Sequence, residues 1–451
     1  MSKVAGIVAA VWMLFAAVVY VPDVGRGFVK DDFAWVQAGR AGLASFTTIV
    51  HPAAPGFFRP VVTASFVADY AWHGTEPRGF GVTNFFLYCL CAVAIALLLR
   101  QVGLSIEATA IGAFAWAVNP HGINMAVLWI SGRTSLLLTL WSTLAAVAFL
   151  RRHRSAGALL VFLAALSKEE AVALPVMIVA LLVVCRPLPR RAITADAGAM
   201  LAAIVIYLVL RVQTPAFVPA TAPWYYQPAT DLRLLMTNAL EYLDRGATIM
   251  AGLVVVLAAV CWTLPRLERR EWRLAAAAAV WFAGGYALTV FVPVRSDLYA
   301  VFPSIGSALA LGVAVDALRR AAPSFDRRVP IVLASVLLFL PVYKERNGRW
   351  VEPARLSAQA MAAVRGDAPS FPSVGTIVFE DEAGSRASFQ SALGGLAGDA
   401  VRLSTGRPLD GYVIAADADH ARASNLAASS PPEGPVIARY HVVDGSVRRA
   451  R

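Results

Sequence analysis

The fold is decided at the amino terminus, by the stretch VAGIVAAVWMLFAAVVYV at residues 4–21 and the stretch VKDDFAW at residues 29–35. The first stretch is long and apolar enough to cross a bilayer, which takes about 20 mostly apolar residues. Shortly after it, the chain presents two adjacent carboxylates, Asp31 and Asp32. Neighbouring carboxylates repel each other and cost free energy when they leave water. The pair is therefore the first candidate for a functional site, placed just beyond a membrane.

The composition is typical of a membrane protein. Of 451 residues, 58% are hydrophobic and 15% are charged, whereas soluble domains carry about 25% charged residues. The net charge of +11 would also suit nucleic acid, but much of the excess lies in short loops between apolar segments, as membrane topology requires. We therefore predict the lipid bilayer as a partner and no nucleic acid.

Apolar segments continue along the chain and predict an all-α polytopic membrane protein with about 11 transmembrane helices. They lie at 4–22, 82–100, 107–128, 134–150, 155–166, 171–185, 194–212, 236–263, 274–293, 299–318 and 329–343. If the amino terminus is cytoplasmic, the basic residues at cytoplasmic ends far outnumber those at the opposite ends. The opposite ends carry Arg133, Lys168, Arg211, Arg233 and Arg295. The Ala- and Arg-rich, Lys-poor composition indicates a bacterium, so we predict an inner-membrane protein with a periplasmic acid pair.

We predict three parts along the chain. Residues 1–343 form the transmembrane domain, whose first periplasmic loop, 23–81, is rich in proline and aromatic residues. This loop predicts interfacial helices with aromatic faces at headgroup depth. Residues 344–366 have the mixed charge of a juxtamembrane helix, and 367–451 predict a small periplasmic α/β domain.

Local patterns in the carboxyl-terminal part define its predicted elements. Gly394-Gly395 marks the end of a helix, and Asp444-Gly445 marks the tight turn of a hairpin. The predicted elements are strands at Thr376–Phe379 and Tyr412–Ala415, a helix at Ser385–Leu393, and a hairpin formed by Val436–Val443 and Ser446–Arg449.

Basic residues on the predicted periplasmic side also need an explanation, because Lys and Arg are usually concentrated in the cytoplasmic loops of membrane proteins. They are Arg59, Arg133, Lys168 and Arg295. An anion at the bilayer surface, such as a lipid phosphate, would supply that reason. The alternative for each cation alone is snorkelling or an ion pair with a neighbouring acid.

The acid pair has three interpretations. One carboxylate acts as a general base while the other raises its pKa or orients an acceptor. Alternatively, Asp31 and Asp32 begin a solvated loop or cap a helix. The third interpretation is a divalent cation held by both. We predict no other metal site, because His51, His73 and His121 lack ligand spacing.

Several motifs in order resemble the membrane-embedded C-type glycosyltransferases that use polyprenyl-phosphate sugars. The similarity is greatest to the transmembrane and tetratricopeptide-repeat O-mannosyltransferases and their bacterial relatives. It covers residues 1–185 by motif and 186–343 by helix pattern. The motifs are the Asp31-Asp32 pair, Phe58-Arg59-Pro60, Asn84, Asn119-Pro120, Trp129-Ile130-Ser131-Gly132-Arg133, Leu166-Ser167-Lys168-Glu169 and Arg295 with Tyr299.

The resemblance implies a C-type glycosyltransferase fold and transfer of a sugar from a polyprenyl-phosphate donor to a hydroxyl acceptor on the periplasmic face. It implies that Asp31 or Asp32 is the catalytic base. A single in-line displacement with one base would invert the configuration at the sugar, and we predict that outcome. The acceptor, whether glycan, lipid or protein, is not implied, since the repeats are absent. The implied phosphate-binding residues are Arg59, Arg133, Lys168 and Arg295, and further site candidates are Glu169, Tyr299 and Asn84.

Two other functions remain open at this point. A transporter or flippase of lipid-linked saccharides would carry charges near mid-span and paired broken helices, and few mid-span charges occur here. A non-catalytic membrane scaffold would not require both acids.

Overall fold

A computed structural model describes residues 2–51, 56–186, 189–218, 220–381, 388–415, 434–443 and 446–450. The chain divides by proximity into two compact units, each of which is built from separate segments. We call them the helical unit, Met1–Pro22, Asn84–Val127 and Gly132–Arg346, and the mixed unit, Asp23–Thr83, Leu128–Ser131 and Asn347–Arg451. The sequence-based boundaries at 343 and 366 stay predictions.

The α-helices are numbered along the chain. They are α1 (Lys3–Val19), α2 (Asp32–Ala44), α3 (Pro60–His73), α4 (Pro77–Gln101), α5 (Ile106–Ala117), α6 (Ile123–Leu128), α7 (Arg133–Leu150), α8 (Arg154–Ala165), α9 (Leu174–Cys185), α10 (Arg190–Val212), α11 (Leu232–Cys261), α12 (Arg269–Tyr286), α13 (Ser304–Ala321), α14 (Phe325–Ser335), α15 (Leu340–Asp367), α16 (Phe389–Ala392) and α17 (Ala397–Thr405).

The helical unit has a packed centre and exposed apolar faces. Helices α5, α7 and α13 are buried along most of their lengths, whereas most of α10 and α11 is not. Such apolar faces suit hydrocarbon, where a helix satisfies its own backbone hydrogen bonds. Their exposed side chains include Leu201, Val205, Val212, Leu232, Leu240 and Val255.

Among the described residues, four helices are long and apolar enough to cross a membrane: Pro77–Gln101, Ile130–Leu150, Arg190–Val212 and Leu232–Cys261. Three shorter apolar helices are Lys3–Val19, Ile106–Ala117 and Arg154–Ala165. These helices support a multi-pass membrane protein. They do not confirm the predicted count of about 11 spans.

Several predicted spans are interrupted or shortened, and two of them show the cause or the form of the break. In the segment 107–128, α5 ends before Asn119-Pro120, and α6 begins only after Gly122, whose φ is +97°. Proline lacks a backbone donor, and glycine adopts positive φ readily, so the helix cannot continue there. In the segment 329–343, α14 gives way to a 3-10 turn, Val336–Phe339, before α15 begins.

The first loop contains α2 and α3, which pack against each other in the mixed unit. Gly39 allows this approach, since a Cβ there would lie 2.7 Å from the carbonyl oxygen of Phe66. Trp35 stacks on Phe66 with ring centroids 5.7 Å apart. The prediction that the loop aromatics face lipid headgroups is wrong for the buried set Phe33, Trp35, Phe58, Phe66 and Phe80, whereas Phe46 and Trp72 are exposed.

A small sheet lies near the carboxyl terminus, and its strands are β1 (Thr376–Glu380), β2 (Asp410–Ile414), β3 (Val436–Val443) and β4 (Ser446–Arg449). The order is β2-β1-β3-β4, with β1 parallel to both neighbours and β3 antiparallel to β4. The central strand β1 is almost entirely buried, as parallel strands usually are.

The predicted strands are present, which confirms a small sheet domain. The predicted helix at Ser385–Leu393 is shorter in the structure, where α16 begins at Phe389 after a Ser388–Ser391 capping box. Residues 385–387 of that prediction, and the predicted turn Asp444-Gly445, lie outside the described residues.

Candidate active site

The acid pair follows a tight turn in the mixed unit. Lys30 adopts a φ of +50°, which is uncommon for a residue with a side chain and persists only where its surroundings hold it. Its backbone N–H donates to the carbonyl oxygen of Ala392 at 2.9 Å. The end of α16 therefore helps to hold the turn from which the two acids follow.

Asp32 is fully buried and its two carboxylate oxygens are both occupied by donors. The backbone N–H of Val29 donates to Oδ2 at 2.8 Å, and that of Ser131 donates to Oδ1 at 2.6 Å. The Ser131 hydroxyl donates to Oδ1 as well. Burial raises the pKa of Asp32 to about 7, against the effect of these hydrogen bonds. Asp32 thus ties the first loop to the segment before α7.

Asp31 has different surroundings. Its side chain is partly exposed, and although it stands at the N-cap position of α2 its carboxylate makes no capping hydrogen bond. The side chain therefore does not cap the helix. Desolvation raises the pKa of Asp31, and the positive charges of Lys30 and Arg59 oppose that rise. Asp31 is therefore the partly exposed member of the pair, whereas Asp32 is fully buried.

A divalent cation bridging the pair does not fit this arrangement. Calcium and magnesium take at least six oxygen ligands, whereas Asp32 faces two N–H donors and one hydroxyl donor, all directed at its oxygens. Among the residues that the structure describes, no group of three or more His, Cys, Asp or Glu side chains could hold a metal ion.

Arg59 lies near enough to the acid pair for its positive charge to affect the pKa of Asp31. Its guanidinium packs over the ring of Phe57, 4.1 Å from the centroid, and its charge acts on Asp31. The side chain remains partly exposed. A cation held on an aromatic ring and still open to solvent can bind an anion.

Two tryptophans support the same turn. The indole N–H of Trp129 donates to the carbonyl oxygen of Val29 at 3.1 Å. Its ring stacks on Trp350 of α15, with centroids 5.2 Å apart. The segment that supplies Ser131 is therefore anchored at a second point to the chain beside Asp32.

Lys168 belongs to the helical unit and is buried. Its ammonium lies 2.7 Å from Glu170 Oε1, donates to the Ser135 hydroxyl at 3.1 Å, and lies 4.9 Å from the ring centroid of Tyr299. The predicted residues Lys168 and Tyr299 are therefore in contact. The buried ion pair with Glu170 balances the charge of Lys168. For this cation, the alternative explanation therefore applies, in which a neighbouring acid rather than a lipid phosphate is the partner.

Arg133 and Asn84, also in the helical unit, are both fully buried. Arg133 Nε donates to Asn84 Oδ1 at 2.9 Å, and Asn84 Nδ2 donates to the carbonyl oxygen of Ala126 at 3.1 Å. The two predicted residues form one hydrogen-bonded chain at the start of α7.

The remaining predicted charges each have an ionic partner. Arg211 NH1 lies 3.1 Å from Glu169 Oε1. Arg295 pairs with Glu241, and its side chain is 38% exposed. Of the four predicted cations, Arg59 and Arg295 thus remain partly accessible, whereas Arg133 and Lys168 are buried.

Sequence reasoning did not assign roles to Ser131, Glu170 or Lys30. Ser131 meets Asp32 across 99 residues of chain, and no local pattern signals such a contact. Glu170 follows Lys168 by two residues, and this spacing was the available signal for their ion pair.

Solved structures with the same fold were found. ArnT from Cupriavidus metallidurans in the apo state has a TM-score of 0.60 and 13% identity, covering 98% of this chain and 94% of that chain. The same protein bound to undecaprenyl phosphate has a TM-score of 0.55 and 15% identity, covering 89% and 85%. The apo Archaeoglobus fulgidus oligosaccharyltransferase has a TM-score of 0.50 and 10% identity, covering 92% of this chain and 64% of that chain.

No model of a protein family matches the chain, and no curated protein matches it significantly. At identities this low, the solved structures show the fold alone. The chain has the fold of the C-type glycosyltransferases, and the resemblance predicted from the sequence is confirmed at that level.

Proposed function

We propose that this chain is an inner-membrane glycosyltransferase that moves a sugar from a polyprenyl-phosphate donor to a hydroxyl acceptor. The reaction takes place on the periplasmic face, with a cytoplasmic amino terminus and a periplasmic carboxyl-terminal domain. Support comes from the fold shared with ArnT, which was solved bound to undecaprenyl phosphate, and from the excess of cations at the predicted cytoplasmic ends.

The observation that carries the proposal is the unequal environment of the two acids. Asp32 is saturated by donors and fully buried, so it orients the turn. Asp31 is partly exposed and has a raised pKa. Two acids whose environments differ in this way are typical of a divided task, in which one positions and one transfers a proton.

In the proposed reaction, the Asp31 carboxylate accepts the proton of the acceptor hydroxyl as its oxygen attacks the anomeric carbon. The bond between that carbon and the phosphate oxygen breaks, and the lipid phosphate leaves with the electron pair. Arg59 stabilises the departing anion. A single in-line displacement inverts the anomeric configuration.

Arg133, Lys168 and Arg295 remain proposed contributors to the donor site. Arg133 and Lys168 are buried and hydrogen-bonded, so we propose that they position Asn84 and Tyr299 rather than provide the first contact with the phosphate. Glu169 forms an ion pair with Arg211, and we propose that this pair influences the electrostatic potential at the donor site.

The test uses the full chain in nanodiscs with a panel of polyprenyl-phosphate sugars. Thermal shift reports donor binding, and slow hydrolysis of the donor reports chemistry. One donor should stabilise the protein and be turned over, and the product anomer, read by NMR, should be inverted. Retained configuration would exclude a single displacement, and the absence of binding for every donor would favour the transporter or scaffold interpretation.

The pH dependence of transfer follows from the raised pKa of Asp31. A base works only when ionised, so kcat/KM should fall as the pH drops through the pKa of Asp31, and this acid limb should lie above pH 3.8, the ordinary value. The measurement is a pH profile of transfer by the wild type. An acid limb at or below the ordinary value would contradict the assignment of Asp31 as base.

Arg59→Gln should raise the Kd for polyprenyl phosphate about tenfold, since a charge-assisted hydrogen bond to the phosphate is lost. Arg40→Gln on α2 is the matched control, because Arg40 is exposed and was not predicted to bind phosphate. Both Kd values can be measured by titration in nanodiscs. Equal affinities for the two variants would remove Arg59 from the phosphate site.

A further inference from the structure

A cavity of about 240 Å³ lies inside the mixed unit. It is lined by the turn Gly25–Phe28, by Phe33, by Thr75–Pro77, by one side of α15 and by the end of α17. The side chains of Arg26, Glu76 and Arg365 are exposed, so the cavity opens to solvent. Phe33 directly follows Asp32, so one wall belongs to the helix that the acid pair begins.

The charged groups at this cavity give it a net positive balance. Arg26 and Arg365 contribute two cations and Glu76 one anion. Arg26 lies 3.9 Å from Asp23, and no ion pair of Arg365 occurs among the residues that the structure describes. Arginine forks match the geometry of carboxylate and phosphate groups.

A hydroxyl at the cavity lacks a hydrogen-bond partner. Ser357 on α15 is 1% exposed, and its Oγ has no partner among the residues that the structure describes. Buried hydroxyl groups are normally satisfied, and each exception requires an explanation. Thr75 and Ser404 line the same cavity with two more hydroxyl groups. A ligand that carries several hydroxyls would meet this arrangement.

The remaining walls are apolar. Phe28, Phe33, Met361 and Leu403 are each at least nine-tenths buried. The volume is below the roughly 300–1,000 Å³ of drug-sized pockets, so the occupant is small. Positive charge, hydroxyl groups and aromatic walls together match a single sugar ring that carries a negative charge.

We propose that this cavity binds an anionic sugar residue, one ring with a carboxylate or phosphate group, as the docking end of a glycan acceptor. The inference rests on the proposed function and narrows its acceptor to negatively charged glycans. Arg26 and Arg365 bind the anionic group, and Ser357, Thr75 and Ser404 bind ring hydroxyls. When occupied, the cavity holds the acceptor next to α2, the helix that begins at Asp32.

The test measures direct binding of probe sugars to the full chain in nanodiscs by saturation-transfer NMR. The probes are galacturonate, glucose 1-phosphate and neutral glucose. Arg365→Ala should raise the Kd of an anionic probe about tenfold, and Ala358→Phe, which fills the cavity, should abolish binding. Arg355→Ala is the matched control, since Arg355 is exposed on α15 and does not line the cavity.

Binding of galacturonate or of glucose 1-phosphate that depends on Arg365 supports the proposal, and the better probe identifies the anionic group. Three results overturn it: neither anionic probe binds, neutral glucose binds equally well, or Arg355→Ala weakens binding as much as Arg365→Ala. Donor hydrolysis is measured in the same preparations. If hydrolysis persists while the probes fail, the inference falls and the proposed function stands, whereas loss of donor turnover in the wild type counts against the function itself.

Discussion

Asp31→Asn is expected to lower the rate of sugar transfer by about 10²–10⁴-fold, the usual contribution of a general base. The amide has nearly the shape of the carboxylate but cannot accept the proton of the acceptor hydroxyl. Because Asp31 makes no capping hydrogen bond and is partly exposed, the substitution should leave the thermal midpoint almost unchanged. Donor binding should persist, so the loss should appear in kcat rather than in the donor Kd.

The control for this experiment is Asp23→Asn in the same loop. Among the residues that the structure describes, the ionic contact of Asp23 is a long pair with Arg26, at 3.9 Å, so its neutralisation should leave turnover close to that of the wild type. Asp31→Glu, which keeps a carboxylate, should retain more activity than Asp31→Asn. If Asp31→Asn transfers sugar at the rate of the wild type, Asp31 is not the base.

Asp32→Ala should cause the largest loss of stability. It removes the acceptor for two backbone N–H groups and the Ser131 hydroxyl, and each buried donor left without a partner costs about 1–3 kcal/mol. A loss of several kcal/mol corresponds to a thermal midpoint lowered by several degrees, at about 1 °C per kcal/mol for a chain of this length. The midpoint in nanodiscs, followed by tryptophan fluorescence, is the measurement.

Ser131→Ala provides the graded comparison, because it removes one hydroxyl donor and leaves the carboxylate with both backbone N–H groups. Its midpoint should fall by much less than that of Asp32→Ala. A midpoint for Asp32→Ala equal to that of the wild type would show that the buried carboxylate does not hold the turn. Full turnover in Asp32→Ala would remove its positioning role as well.

The acid pair could be found from the sequence because its signals are local. An apolar stretch of spanning length and two adjacent aspartates lie within the first 32 residues. The different environments of Asp31 and Asp32 could not be predicted, since that of Asp32 depends on Ser131, which is 99 residues away along the chain. Contacts at that separation are set by packing.

Hydropathy identified apolar segments but not their geometry. In segment 107–128, one helix ends before Pro120 and the next begins after Gly122. Hydropathy averaged over a window does not show where the backbone turns. The sequence also does not show what the aromatic residues of the first loop contact, because an aromatic ring can pack against a lipid headgroup or against another ring. Trp35 packs on Phe66 instead.

The mixed unit draws its segments from three distant parts of the chain, the last of which begins at Asn347. The turn before the acid pair is held by Ala392, and Trp129 is stacked on Trp350. During synthesis, Trp350 and Ala392 leave the ribosome long after the first loop. A nascent chain that ends before Trp350 and Ala392 therefore lacks two supports of its own acid pair.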